Sequence, residues 1–293
     1  MKKRKKKLKL FRIDLLLVLV LLIGLGILIY PAFSDYWNSF HQSRAIISYA
    51  ESVATLNTED YDRIWKEALE YNRWLAEKSN QWAKDEEEKD VYNASLNLNG
   101  TGNMGVVTIP NINVKLPVYH GTEDTVLQTA VGHIEGTSLP VGSIHDEEDF
   151  SKVEFASHCV ISGHRGLPSA KLFSDLDKMK LGDRFSFNVL DQTLTYEVDA
   201  INVVEPEDVK LIQIEPDQDL VTLVTCTPYG INTHRLLVRG HRVENEKTGL
   251  DIRITADAVR VDAIYTAPFL AAPVLVLIAL WVMAFTTDRR RRW

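Results

Sequence analysis

Cys226 closes a strand-like run, Leu220 to Thr225, and a turn follows at Thr227-Pro228-Tyr229-Gly230. A second strand-like run extends from His234 to Val243, so Arg235, nine residues beyond Cys226, can meet it across a hairpin. His164 stands between Gly163 and Arg165, after the apolar strand Cys159-Val160-Ile161. A thiol becomes a useful nucleophile when a base or cation lies close to it. With ordinary Cys and His values of about 8.5 and 6.5, only about 1% of such a pair is thiolate plus imidazolium. That fraction supports slow acyl transfer, and a neighbouring arginine raises it while stabilising an oxyanion. The candidate catalytic residues are therefore His164, Cys226 and Arg235.

Each of these has a plainer reading, since isolated cysteines are often core and strand arginines often surface. Cys159 lies mid-strand in an apolar run and reads as buried, although a Cys159–Cys226 disulfide is conceivable in an exported protein. His133, flanked by Gly132 and Ile134, is held as a reserve base. Two cysteines exclude a disulfide-dense scaffold and a four-cysteine zinc site. The run Asp85 to Glu88 reads as a solvated face rather than a calcium site. No metal and no cofactor is expected.

The elements that must position these residues follow from patterning. Phe185, Phe187 and Val189 alternate, a turn stands at Asp191-Gln192, and Leu194, Tyr196 and Val198 alternate again. Many short strands without long intervening helices predict a mainly β domain over 101–245, a closed barrel. Residues 34–100 read as a mainly helical region ahead of the barrel. Ile46, Tyr49, Ala50 and Val53 fall at helical spacing, and Thr58 is the expected N-cap of a second helix. Ser143 to Ser157, with Asp146, Glu147, Glu148 and Asp149, reads as an acidic surface loop able to steer a basic partner.

Two apolar runs frame this body, Leu15 to Ala32 (18 residues) and Ala267 to Phe285 (19 residues). At about 1.5 Å per residue each spans roughly 27–29 Å, close to the hydrocarbon thickness of a bilayer. The expected anchors are 15–33 and 267–287, with a linker at 246–266 and basic tails at 1–14 and 288–293. Residues 2–12 carry eight basic groups and 289–292 four more. Setting these aside with Asp14 and Asp288 reduces Lys+Arg from 33 to 21 and Asp+Glu from 40 to 38, leaving a body of −17. The positive-inside rule puts both termini in the cytoplasm and the acidic body outside. Such a body disfavours nucleic acid as a partner, whose phosphates it would repel.

The stretch from Thr222 to Gly240, containing Leu223-Val224-Thr225-Cys226 and His234-Arg235, resembles the catalytic hairpin of a sortase of class C, the pilin-polymerising class. Ser162 to Phe173 resembles the family's histidine segment, and Asn113 to Thr122 and Gly132 to Gly142 its early barrel strands. The resemblance covers about residues 100–245. It implies an eight-stranded barrel and a cysteine transpeptidase that cleaves a Leu-Pro-x-Thr-Gly-like signal between Thr and Gly. It assigns Cys226 as nucleophile, His164 as acid and base, and Arg235 as holder of substrate and oxyanion. It also implies pilin or surface-protein precursors as substrates, a pilin lysine or a peptidoglycan amine as acceptor, and a Gram-positive envelope as setting.

The chain departs from the family's lid, an Asp-Pro-aromatic motif, because no proline stands between Pro31 and Pro110. Trp82 with Asp85 is the candidate substitute plug; the plainer reading is that Trp82 caps the helix before it. A wall-anchoring sortase, a cysteine protease that releases its peptide to water, and a non-catalytic envelope scaffold are the competing readings.

Overall fold

The computed structural model describes residues 2–83 and 85–245. The expected linker at 246–266, the second span at 267–287 and the tail at 288–293 lie outside the described residues. The described residues fall into two compact units, divided between residues 37 and 38.

In the first unit, helix α1 (Lys2–Ala54) begins, and from Leu16 it is long and apolar enough to cross a bilayer. The helix continues through Pro31. Tyr30, Phe33, Tyr36 and Trp37 cluster where the apolar run ends, and all four are exposed, as aromatic residues are at a membrane interface.

The second unit opens with the rest of α1, which the sequence pattern had divided from the anchor. Its face presents Ile46 and Tyr49, both buried. The Tyr49 hydroxyl donates to the carbonyl of Met104 (3.0 Å) and accepts from the amide of Leu190 (2.8 Å), so one side chain ties the helix to two barrel segments. Helix α2 (Thr58–Glu77) starts one residue earlier than expected. Asn57, not Thr58, is the N-cap, its side chain accepting from the Asp60 amide at 2.8 Å. Asn reaches the orphan amides at least as well as Thr, and Glu59 and Asp60 then occupy the favourable first turn. The fully buried Asn72 on α2 bonds Leu139 and Gly142 through all its polar positions, fixing the helix against that loop. Helix α3 (Glu86–Ala94) follows a short segment that carries Trp82.

The barrel is closed, as expected, and has eight strands: β1 (Asn103–Ile109), β2 (Val114–His120), β3 (Val131–His133), β4 (Ser157–Ser162), β5 (Arg184–Val189), β6 (Gln192–Val204), β7 (Asp219–Thr227) and β8 (His234–Val243). Around the barrel they run β1-β2-β3-β4-β7-β8-β6-β5, and β5 pairs with β1 to close it. The alternation around Asp191 is the β5–β6 hairpin, with Val189 opposite Gln192. β2–β3 and β4–β7 are parallel pairs; the others are antiparallel. The interior holds Cys159 and Ile161 from β4, Val221 and Leu223 from β7, and Leu236 and Val238 from β8, packed with Phe185, Phe187 and Tyr196. In a strand successive side chains take opposite faces, so the even residues of β4 and β7 and the odd ones of β8 face outward.

Candidate active site

The outward face of β4, β7 and β8 carries a second apolar cluster: Val160, Val224, Leu237 and Ile212, with Ile134, Val204 and Trp82 packed against it. Cys226 is two residues beyond Val224 and Arg235 two before Leu237, so both share this face. Cys226 and Arg235 are direct partners in the antiparallel β7–β8 pair. Side chains so placed have Cβ atoms about 4.5–5.5 Å apart.

His164 follows β4, whose last paired residue, Ser162, lies opposite Val224 in the parallel ladder, so the strand that leads into His164 runs alongside the one that ends at Cys226. The Gly163 amide donates to the Val224 carbonyl (3.0 Å), and the Thr225 hydroxyl donates to the Gly163 carbonyl (2.7 Å). The His164 carbonyl accepts from the amide of Phe173 at 3.1 Å, which closes the loop behind it. Gly163 permits this closeness, since a Cβ there meets the Phe173 ring at 2.7 Å. The three side chains are half-buried, open enough for a substrate and sheltered enough for short electrostatic contacts. Arg235 is anchored by Nη1, which donates to the carbonyls of Asn232 (3.3 Å) and His234 (3.1 Å).

Cys159 is a free, buried thiol on the inward face, and burial pushes it well above the ordinary thiol range. Since Cys226 faces outward, the two sulfurs lie on opposite sides of the sheet and the disulfide considered above does not form. His133 is likewise structural. It is fully buried, with Nε2 bonded to the Ser138 carbonyl (2.8 Å) and Nδ1 to the Tyr92 hydroxyl (2.9 Å). Among the described residues no group of acidic, Cys and His side chains is arranged to hold a metal ion. In the acidic loop Asp146, Glu147 and Glu148 are exposed, while His145 binds the buried Asp219 at 2.9 Å.

Trp82 packs against the cluster of Val160, Ile212, Val224 and Leu237 and against Gly136, where an added Cβ meets the indole at 2.9 Å. Its indole N–H is buried and has no hydrogen-bond partner among the described residues. Asp85 does something else: it is the N-cap of α3, in a reciprocal capping box with Glu88. Glu88 also holds Lys78 at 2.7 Å, which ties the two ends of the segment together. Gln81, unremarked in the sequence, is 9% exposed and bonds two loops. Its Nε2 donates to the Gly136 carbonyl (3.1 Å), and its Oε1 accepts from the Ile214 amide (3.0 Å). Its only signal in the sequence was its place next to an isolated tryptophan.

Residues 107–243 match the Sortase domain family. A crystal structure of sortase C1 from Streptococcus agalactiae superposes with a TM-score of 0.64 at 49% identity, covering 69% of this chain and 100% of that one. Sortase C of Clostridium perfringens, solved with the C-terminal cell wall sorting motif, gives 0.58 at 39% identity, over 69% of this chain and 99% of that one. The chain belongs to the sortase family. Among curated relatives, sortase A of Streptococcus agalactiae serotype III (strain NEM316) is 32% identical over 146 residues, half of this chain and 54% of the relative. Sortase D of Bacillus subtilis (strain 168) is 28% identical over 142 residues, 47% of this chain and 63% of the relative. The chain thus spans less than two thirds of the length of either curated relative. The structural likeness runs to class C, whereas these curated matches are of classes A and D.

Proposed function

We propose that this protein is a membrane-anchored cysteine transpeptidase that joins a Leu-Pro-x-Thr-Gly-like sorting signal to the lysine amine of a pilin subunit. The observation that carries the reading is the register pairing of Cys226 with Arg235 on one face, beside the strand that leads into His164. Cys226 Sγ attacks the threonine carbonyl carbon. The negative oxygen that develops lies against the Arg235 guanidinium, whose positive charge counts for more where water is excluded. His164 delivers the thiol's proton to the glycine nitrogen, the C–N bond breaks, and a thioester remains. The acceptor amine then attacks the thioester and gives its proton to His164, the C–S bond breaks, and the proton returns from His164 to the departing sulfur. An isopeptide bond results, with no net change in oxidation state.

The decisive experiment is mass spectrometry of products from a sorting peptide alone and with a lysine-bearing pilin domain. Isopeptide product with the pilin supports the reading; a product carrying only a peptidoglycan-type amine, or only water, overturns the pilin assignment. Class C relatives among the solved structures support the pilin acceptor over a wall amine.

Trp82 and Gln81 act in this reading as a plug over the apolar part of the groove. The unpaired indole N–H leaves the plug easier to displace, since a buried unsatisfied donor costs about 1–3 kcal/mol. Asp85 contributes by starting α3 rather than by touching the site. In the same reading both termini are cytoplasmic and the barrel is outside. A membrane-impermeant maleimide should then label Cys226 on intact cells, and labelling only after lysis reverses the orientation.

A further inference from the structure

Arg165 follows His164 directly, yet the transpeptidase steps above make no use of it. Its side chain is only 8% exposed, unusual for an arginine at the end of a surface strand. One guanidinium nitrogen, Nη2, pairs with Asp177, on the loop between β4 and β5. The other, Nη1, donates to Thr227 Oγ1 at 3.2 Å, and Thr227 is the residue next to Cys226. The guanidinium carbon also lies 5.8 Å from the centre of the Tyr229 ring, in the turn between β7 and β8. Gly166, at φ +77°, brings the backbone so close to that ring that a Cβ there meets it at 3.0 Å. Arg165 and Gly166 therefore hold an otherwise exposed tyrosine, and through it the loop after Cys226.

The need for such a tie is visible in the strand register. The β4–β7 ladder ends at Ser162 and Val224, two residues short of His164 and Cys226. Beyond it Gly163 joins the two segments, its amide donating to Val224 and its carbonyl accepting from the Thr225 hydroxyl. We infer that Arg165 is a positioning residue, clamping the loop after β4 to the loop after β7 so that His164 and Cys226 keep their spacing. The inference rests on the transpeptidase reading for its effect on turnover, but not for its effect on the thiol. A fork of donors suits the task, because it can bond Asp177 and Thr227 at once while its flat face meets Tyr229. Displacements of about 1 Å in a catalytic pair cost about 10²-fold in rate.

The test compares Arg165→Met and Arg165→Lys with the native full-length protein. It reads kcat and KM for a sorting peptide, the pH profile of Cys226 alkylation, and the thermal midpoint. Arg165→Met should lower kcat by about 10- to 100-fold with KM within about threefold, and should move the alkylation profile. Arg165→Lys should recover only part of the loss, since one ammonium replaces a fork. A folded Arg165→Met variant with native kcat and native alkylation profile overturns the inference, as does a rise in KM alone, which marks direct substrate binding. Should Arg165→Met fail to fold, Thr227→Val, which removes only the hydroxyl partner, decides on the same readouts. If the native protein cleaves no sorting peptide, the transpeptidase reading fails, and the alkylation profile still decides the role of Arg165.

Discussion

Cys226 and Arg235 are register partners on the outward face of β7 and β8, and β4, which leads into His164, runs beside β7. That arrangement makes each residue's contribution separable. Replacing Arg235 by Ala should lower kcat for peptide cleavage by about 10²–10³-fold, the usual cost of losing one oxyanion donor, and Lys should restore a fraction of it. Steady-state kinetics on the sorting peptide checks this, and an Arg235→Ala variant within threefold of native dismisses the oxyanion role. A second residue on this face governs stability instead. His158 is fully buried, its Nδ1 bonded to the Gln213 carbonyl (2.7 Å) and its Nε2 to the Thr222 hydroxyl (2.8 Å). Burial holds its pKa below the ordinary histidine value, outweighing the Gln213 bond. The folded protein therefore resists a proton that the unfolded chain accepts below about pH 6.5. The stability from a neutral His158 is complete above that pH and declines as pH falls toward the folded-state value. His120, also lowered by burial, acts with the same sign. Thermal midpoints measured from pH 7.5 to 5.5 should fall, and His158→Gln should flatten the slope; an unchanged slope rejects this account.

Elements decide whether the site is open. The segment between α2 and α3 is strapped by Lys78–Glu88 and by Gln81, and it lays Trp82 on Val160, Val224 and Leu237. Trp82→Ala should raise the rate of Cys226 alkylation about tenfold, the factor that roughly 1.4 kcal/mol of lost packing gives. Gly136→Ala should do the same from the other side. Its φ of +96° disfavours any Cβ, and the indole is the neighbour that must yield. Alkylation kinetics unchanged in both variants would refute the plug. On the far side of the barrel, Tyr49 on α1 tests how far the helix belongs to the fold. Tyr49→Phe leaves the Leu190 amide buried without its partner, at a cost of about 1–3 kcal/mol. Urea titration should show a lower midpoint with an unchanged slope.

At the scale of the whole molecule, one element carries both the membrane character and part of the barrel's support. The sequence pattern separated an anchor at 15–33 from a helical region beginning at 34, but α1 runs from Lys2 to Ala54 without interruption. Proline in a helix interior removes one amide donor and crowds the preceding turn. The helix nevertheless continues through Pro31, and its later turns pack Ile46 and Tyr49. Similar local ambiguity moved the N-cap of α2 from Thr58 to Asn57, because adjacent polar residues compete for one role and only the backbone geometry selects between them.

The sequence alone determined the barrel class and the hairpin that pairs Cys226 with Arg235. These depend on alternation, on turn residues and on short motifs, all local in the chain. Only the tertiary structure decided what distant segments do to one another. The parallel pairing of β4 with β7 sets the strand before His164 alongside the strand that ends in Cys226. The inward turn of Cys159 and His133 removes them from the chemistry. Asp85 caps α3 while Gln81 bonds the loops at Gly136 and Ile214, and Arg165 bridges two loops whose sequences carry no mark of their meeting. A side chain's partners across a barrel depend on strand order and register, and these are set by which faces bury together, not by any single segment's pattern.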